Sequence, residues 1–204
     1  WIGTYRSLER YDPSTGLFTA FRHDAMISSS ISSDAVFCMF EDRQRRFWIG
    51  TRGGGLNRMD RSNGTFITYT ESEGLPNNVV YAILEDEEGN LWMSTNYGIS
   101  VFDPDKETFV NFDVRDGLQS NEFNLGAAHR SHSGEMFFGG MAGFNAFYPE
   151  RIRNNLTIPQ LVISEFQIFN QRLPRDLKNG DTIRLNYDEN TFTILFSALD
   201  FTNP

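Results

Sequence analysis

Only a few residues of this chain have types and spacings that could support chemistry. The pair His129-x-x-His132 has a spacing found in zinc sites, but it lies on a polar turn of a chain with three histidines and one cysteine. Residues 86–90, Asp-Glu-Glu-Gly-Asn, carry three carboxylates that could hold a metal ion or transfer protons. Asp and Gly are also typical of a tight turn between strands, and the matching turn has Arg45 where this one has Gly89. We therefore expect no catalytic residue, no metal and no cofactor in this segment.

The single cysteine, Cys38, lies inside the apolar run of residues 35–40 and has no histidine or other base beside it in the sequence. This setting predicts a small buried side chain rather than a reactive thiol. One cysteine also excludes an internal disulfide.

The composition favours a folded, acidic and water-soluble domain. The 204 residues include 18 Lys and Arg against 27 Asp and Glu, which gives a formal charge of −9. Phosphate binding needs a basic stripe, and we find no such stripe in the sequence, so we expect no contact with nucleic acid. The longest apolar run, residues 79–84, is far shorter than the roughly 20 residues that cross a bilayer, so we expect no membrane contact from this segment.

A repeat of about 45 residues organises most of the chain. A tetrad that begins with an aromatic residue occurs four times, and its copies begin 47, 44 and 45 residues apart. Each copy is followed by an apolar strand start and a turn, and in three copies by a pair of aromatic residues. The four tetrads are Trp1-Ile2-Gly3-Thr4, Trp48-Ile49-Gly50-Thr51, Trp92-Met93-Ser94-Thr95 and Phe137-Phe138-Gly139-Gly140.

Each repeat predicts four short antiparallel strands bounded by turns, and no segment shows the 3.6-residue period of a helix. A four-stranded unit of this length, repeated, is typical of a β-propeller blade. In such a blade the first strand is innermost, and the tryptophan of the second strand fills the space between adjacent sheets. We therefore predict an all-β fold in which Trp1, Trp48 and Trp92 belong to the core.

The repeat ends after Tyr148-Pro149-Glu150. Residues 154–160 indicate a linker, and strands are predicted at 161–169, 182–185 and 191–199, with a polar loop at 170–180. This alternation is typical of the first strands of an antiparallel sandwich. We predict two parts, with the last propeller blades in residues 1–153 and the linker and first sandwich strands in residues 154–204, cut from a longer protein.

The sequence resembles the two-component regulator propeller family. Residues 75–86, Leu-Pro-Asn-Asn-Val-Val-Tyr-Ala-Ile-Leu-Glu-Asp, followed by Gly-Asn-Leu-Trp-Met-Ser-Thr at 89–95, look like one repeat of that family. Residues 117–149 are similar to its terminal blade, and residues 183–185 and 190–200 resemble the opening of the Ig-like three-Y domain that follows the propellers. The chain departs from the family pattern at Arg45, at an extra glycine in residues 53–55, and in the last blade, which lacks the tryptophan.

The resemblance implies the sensor region of a hybrid two-component system. Its propellers and Ig-like stalk would lie in the periplasm, followed by a helix through the inner membrane and by histidine kinase, receiver and DNA-binding modules inside the cell. The implied ligand is an oligosaccharide, the implied assembly is a homodimer through the stalk, and the implied output is transcription of polysaccharide-use genes. The signalling chemistry would lie outside this segment.

The loops that enter the innermost strands and the loops that join strands two and three of a propeller open on one face, which we call the rim. Aromatic rings suit the apolar faces of sugars, and Asn and Arg can donate hydrogen bonds to hydroxyl or acidic groups. We predict ligand contacts on the rim, with Arg52 and Tyr97 preferred. The candidates are Tyr5, Arg6, Arg52, Asn77, Asn78, Asn96, Tyr97, Asn121 and Glu122.

Two other functions stay open. A glycoside hydrolase or lyase could use a propeller scaffold, because the spacing Asp86-x-x-Gly89-x-x-Trp92 is faintly similar to an Asp-box turn. Hydrolysis needs a second carboxylate opposite the first, and Glu122 is the one carboxylate that we predict near the rim. A protein-interaction propeller is the other alternative, although the blades lack the WD-repeat and kelch signatures.

Overall fold

The computed structural model describes residues 1–152, 160–169, 171–172 and 182–199. Contacts divide the chain into two compact units, Trp1–Ile152 and Arg153–Pro204. Helical structure in the described ranges is limited to three 3₁₀ turns, Glu71–Glu73, Val114–Asp116 and Pro149–Arg151. No helix in these ranges has the length and apolarity to cross a membrane. The prediction of an all-β fold is confirmed.

The first unit consists of four antiparallel sheets, which we number blades 1 to 4. Blades 2 and 3 have four strands in chain order, and blades 1 and 4 have three. This arrangement confirms the predicted four-stranded repeat. Blade 1 holds β1 (Ile2–Gly3), β2 (Leu8–Asp12) and β3 (Leu17–Phe21); blade 2 holds β4 (Val36–Glu41), β5 (Phe47–Thr51), β6 (Leu56–Asp60) and β7 (Thr65–Tyr69); blade 3 holds β8 (Val80–Glu85), β9 (Leu91–Thr95), β10 (Ile99–Asp103) and β11 (Thr108–Phe112); blade 4 holds β12 (Phe123–Arg130), β13 (Met136–Gly140) and β14 (Gly143–Phe147).

The turns between the first and second strands of blades 2 and 3 share one geometry. Asp86 Oδ1 accepts hydrogen bonds of 2.9 Å from the amides of Glu88 and Asn90, and Gly89 has a φ of 87°. Asp42 Oδ1 accepts a bond of 2.8 Å from the amide of Arg46, and Arg45 has a φ of 63°. The left-handed conformation costs a residue with a Cβ about 1 kcal/mol. The turn keeps its shape without glycine, as predicted.

The core lies between the blades, because each sheet packs its apolar residues against the next sheet. Trp48 of blade 2 clusters with Leu91 and Phe102 of blade 3, and Trp92 of blade 3 clusters with Phe138 of blade 4. Burial of side chains of this size stabilises the fold by roughly 1.5–3 kcal/mol each. Trp48 and Trp92 are buried as predicted, whereas Trp1, at the first residue, is only half-buried against the cluster between blades 1 and 2.

The described part of the second unit contains one sheet. Its central strand β15 (Gln160–Ile168) pairs with β16 (Gln171–Arg172) on one edge and with β17 (Phe192–Leu199) on the other. The predicted strands at 161–169 and 191–199 are confirmed, and β16 replaces part of the predicted loop at 170–180. The predicted strand at 182–185 is wrong, because these residues pair with no strand of the described sheet. Residues 170 and 173–180 of that loop lie outside the described residues, as do residues 154–159 of the predicted linker.

Candidate ligand-binding rim

Backbone hydrogen bonds join the rim loops of neighbouring blades. The amides of Gly53 and Gly55, in the β5–β6 loop, donate to the carbonyl oxygen of Asn78 at 2.9 and 2.8 Å. The amide of Gly98, in the β9–β10 loop, donates to the carbonyl oxygen of Asn121 at 2.7 Å. In each case a loop between strands two and three meets the loop that enters the next innermost strand. The two kinds of loop therefore lie on one face, as the propeller geometry requires.

The side chains of the rim asparagines also bond within the protein. Asn78 Oδ1 accepts a hydrogen bond of 2.9 Å from the amide of Glu71, and Asn121 Oδ1 accepts one of 3.0 Å from the amide of Val114. Asn77 Oδ1 accepts one of 3.0 Å from the amide of Val79. These oxygens hold the connections between blades, so a ligand would meet the remaining amide groups of these side chains.

Capping carboxylates fix the two connections that lead into blades 3 and 4. In the turn Glu71–Glu73, the side-chain and backbone hydrogen bonds from Thr70 lower the pKa of Glu73. In the turn Val114–Asp116, hydrogen bonds from Arg115 lower the pKa of Asp113. Both carboxylates are charged at neutral pH. Each one stabilises the turn that precedes Asn78 or Asn121 in the same connection.

The other candidates are exposed. Tyr5 is 67% exposed and Tyr97 is 49% exposed, and Arg6, Arg52 and Asn96 also face solvent. Glu122 is exposed too, and its carbonyl oxygen accepts a bond of 3.1 Å from the amide of Met141. In the part of the chain that the structure describes, no ion pair or side-chain hydrogen bond engages the guanidinium of Arg52. These side chains are accessible to solvent on the rim.

Three aromatic rings and one amide form a continuous series across blades 1 to 3, which we call the aromatic ladder. The Tyr5 ring lies edge-on to Phe37, with 5.9 Å between centroids. Phe37 stacks on Tyr81 at 5.7 Å with 12° between the ring planes, and the Tyr81 hydroxyl donates to Asn96 Oδ1 at 3.1 Å. The ladder brings two candidates, Tyr5 and Asn96, into one constellation.

Bulges in the innermost strands position the two central rings of the ladder. The register of β4 shifts between Val36 and Cys38, and that of β8 shifts between Val80 and Ala82. Phe37 and Tyr81 are the extra residues at these shifts, and a bulge turns a side chain away from the regular alternation of a strand. Both rings are half-buried, and Tyr81 also packs against the cluster between blades 3 and 4.

Phe37 and Tyr81 were not among the predicted site residues. Continuous apolar residues in the innermost strands favour a place in the core for both rings. Aligning the two repeats places Phe37 opposite Tyr81, and a tyrosine in a buried strand is the signal that could have identified them. The alternation of side chains along a strand could not have identified them, since a bulge breaks that alternation.

The carboxylate that suggested hydrolysis has a structural role. Asp86 is buried, and its Oδ2 accepts hydrogen bonds from Asn90 Nδ2 at 3.0 Å and from Trp92 Nε1 at 2.9 Å. Its other oxygen holds the turn described above. Asp86 belongs to the hairpin between strands one and two, at the end of the blade opposite the rim.

Two segments of the chain, residues 30–53 and 74–97, match the family model described as two component regulator propeller. They contain the entering loop and the first two strands of blades 2 and 3, and with them Phe37, Tyr81, Arg52 and Tyr97. The predicted resemblance to this family is confirmed.

Relatives with longer chains share the fold. Histidine kinase P4 of Formosa agariphila is 28% identical over 262 aligned positions, which cover all of this chain and 19% of the relative. The extracellular domain assigned to the hybrid two component system BT3049 of B. thetaiotaomicron is 28% identical with a TM-score of 0.72, over 97% of this chain and 27% of that one. The extracellular domain of BT4673, also from B. thetaiotaomicron, is 20% identical with a TM-score of 0.59, over 81% of this chain and 25% of that one, and shows the fold alone. This chain spans about a fifth of the curated relative. The structural likeness and the family match confirm the predicted propeller blades.

Proposed function

We propose that this chain is part of the ligand-sensing region of a hybrid two-component sensor and that it binds a glycan-derived oligosaccharide at the rim. The observation that carries the ligand class is the aromatic ladder, Tyr5–Phe37–Tyr81–Asn96. The observation that carries the sensor class is the likeness to Histidine kinase P4 and to the extracellular domain assigned to the BT3049 system.

The ladder combines the two kinds of surface that sugars need. Its rings offer apolar area for the C–H faces of pyranose rings, and the Tyr81 hydroxyl and the Asn96 amide offer polar groups beside that area. Arg52 and Tyr97 follow the second strands of blades 2 and 3, on loops of the same face. The free guanidinium of Arg52 suits a carboxylate or sulfate on the ligand, because two parallel N–H groups can bond such an anion.

The rest of the signalling route belongs to the same proposal. The sensing region would lie in the periplasm, followed by an Ig-like stalk that dimerises and by a helix that crosses the inner membrane. Ligand binding would then regulate a histidine kinase and the transcription of polysaccharide-use genes. The kinase in this proposal is supported by the curated relative, of which this chain covers 19%.

Calorimetry of the intact sensor region with a panel of oligosaccharides tests this proposal. We expect saturable binding of at least one member, and Arg52→Ala should weaken that affinity about tenfold or more, equivalent to about 1.4 kcal/mol. Arg10→Ala, an exposed arginine on β2, is the matched control and should leave the affinity unchanged. Equal affinities for Arg52→Ala and the wild type would remove Arg52 from the site, and a panel without any binder would contradict the ligand class.

The same samples distinguish sensing from hydrolysis. After prolonged incubation, chromatography of the bound oligosaccharide should recover it intact. Turnover that is lost in a rim variant would instead support the glycoside hydrolase or lyase.

A further inference from the structure

Four arginines surround an open cleft of about 540 Å³ in blade 2, away from the rim. Arg45 and Arg46 come from the β4–β5 hairpin, Arg58 from β6, and Arg61 from the β6–β7 turn. Hairpins between strands one and two and between strands three and four lie at the end of the blade opposite the rim. Arg45 and Arg46 are separated in the sequence from Arg58 and Arg61, and the four come together only when the two hairpins fold side by side.

Aromatic rings hold three of these guanidinium groups in place. The guanidinium carbons of Arg46 and Arg58 lie 5.8 and 5.9 Å from the Trp48 ring centroid, and that of Arg61 lies 4.9 Å from the Phe47 centroid. A guanidinium over a ring is stabilised by about 0.5–1 kcal/mol and loses less entropy when it binds. The cleft therefore presents preorganised donors.

Carboxylates pair closely with two of these four guanidinium groups. Arg46 pairs with Asp42 and Asp105, and Arg61 pairs with Glu41. Asp60 also lines the cleft, and the hydrogen bonds that Ser62 and Asn63 donate to it lower its pKa, so it stays negatively charged and is held by its own turn.

The two remaining arginines lack such close partners. The nearest carboxylate oxygen to Arg58, on Glu107, is 4.0 Å away and accepts a hydrogen bond of 2.7 Å from the Tyr69 hydroxyl. Arg45 has no ion pair within the described ranges. Arg45 and Arg58 are therefore the cations of the cleft with the weakest ion pairing, since Arg58 reaches its carboxylate partner only at 4.0 Å.

Blade 3 shows that the fold does not require these two arginines. Its hairpin has Gly89 at the position of Arg45, and its third strand has Val101 at the position of Arg58. Arg45 even occupies a left-handed position, where glycine is the residue without strain. Blade 2 thus has a strained arginine at the turn position where blade 3 has glycine, and this arginine adds a positive charge to the cleft. Backbone strain of this kind is typical of functional positions.

We propose that this cleft binds an oxyanion of the sulfate or phosphate type, through Arg45 and Arg58 with support from Arg46 and Arg61. Guanidinium groups match such anions because their N–H groups form parallel, charge-assisted hydrogen bonds. The oxyanion can be inorganic or an ester group on a sugar, since the bound chemistry is the same. This proposal is independent of the oligosaccharide site on the rim.

Titration of the intact sensor region with sodium sulfate at constant ionic strength, balanced with sodium chloride, tests it. We expect a saturable heat signal by calorimetry and a matching rise in the thermal midpoint. Sulfate also stabilises proteins without a site, but that effect does not saturate and is shared by all variants. Inorganic phosphate and glucose 6-sulfate, titrated in the same way, identify the source: tighter binding of the sugar ester indicates a glycan group, and equal binding indicates the free anion.

Arg45→Gly/Arg58→Val places the blade 3 residues in blade 2 and should weaken sulfate binding at least tenfold. Arg10→Val/Arg22→Gly removes two exposed arginines elsewhere and should leave binding unchanged. If the first double variant does not fold, Arg45→Gly alone serves, with an expected loss of several-fold. Equal sulfate affinity in the cleft variant and in the control, or the absence of a saturable signal in the wild type, would overturn the proposal.

Discussion

The indole nitrogen of Trp48 donates a hydrogen bond of 2.9 Å to the buried carboxylate of Asp42, six residues earlier. Trp92 makes the same bond, with the same length and the same spacing, to Asp86 of the next blade. The tryptophan of the second strand is thereby tied to the hairpin that precedes it, so the largest core residue of each repeat also fixes the turn. This pairing explains why both residue types recur at one spacing in the chain.

Loss of Asp42 should destabilise the first unit strongly. Asp42→Ala leaves the Trp48 indole and the Arg46 guanidinium without their buried partner, so we expect a loss of about 3 kcal/mol in the free energy of unfolding. Asp105→Ala removes the exposed partner of the same Arg46 and should cost less than about 1 kcal/mol. Urea unfolding measures both, and equal losses for the two variants would contradict the structural role of Asp42.

The Asp42 contribution should also depend on pH. Burial works against the charged carboxylate, but hydrogen bonds from Trp48 and Arg46 outweigh it and lower the pKa of Asp42 below its ordinary value of 3.8. The resulting stability is present above that value and is lost as the pH falls through the folded-state pKa.

Glu85 should behave in the opposite way. Burial raises the pKa of this carboxyl above its ordinary value of 4.5, despite the amide of Arg43 that donates to it. Its charge therefore costs stability at neutral pH, and this cost disappears as the pH falls through the raised pKa toward 4.5. Glu85→Gln should raise the thermal midpoint at pH 7, with an advantage that shrinks below the raised pKa. A lower midpoint for Glu85→Gln at pH 7 would refute this reasoning.

The left-handed turn position should distinguish the two repeats. Arg45→Gly removes the strain of a Cβ at a φ of 63° and should stabilise the protein by about 0.5–1 kcal/mol. Gly89→Ala adds that strain to the same turn of blade 3 and should cost about 1 kcal/mol. Denaturant unfolding of the two single variants should give changes of opposite sign. Changes of the same sign would mean that the turns are not equivalent.

The thiol of Cys38 should be inert in the folded protein. Burial raises its pKa to about 12, so the reactive thiolate is scarce at pH 8. We expect iodoacetamide at pH 8 to leave the native protein unlabelled and to modify it stoichiometrically in urea. Rapid labelling of the native protein would show that the space between blades 2 and 3 opens.

The repeat arithmetic could predict the blades, because the pattern of strands, turns and tryptophans depends on local chemistry that recurs in each copy. It also placed the rim loops on one face. It could not predict that Phe37 and Tyr81 depart from the regular alternation of the innermost strands, since bulges in β4 and β8 decide this and depend on pairing between strands. Nor could it predict that Arg58 and Arg45 line one cleft. These residues are 13 positions apart in the sequence and meet only when the two hairpins fold.

The most direct test of the central claim is the affinity of the intact sensor region for its best-binding oligosaccharide, measured by calorimetry for the wild type, Tyr81→Ala and Tyr187→Ala. Tyr187 is a fully exposed tyrosine of the second unit and serves as the control. We expect a loss of about tenfold or more for Tyr81→Ala, because the ladder loses a stacked ring and its hydrogen bond to Asn96, and no change for Tyr187→Ala. Wild-type affinity in a folded Tyr81→Ala variant would contradict it.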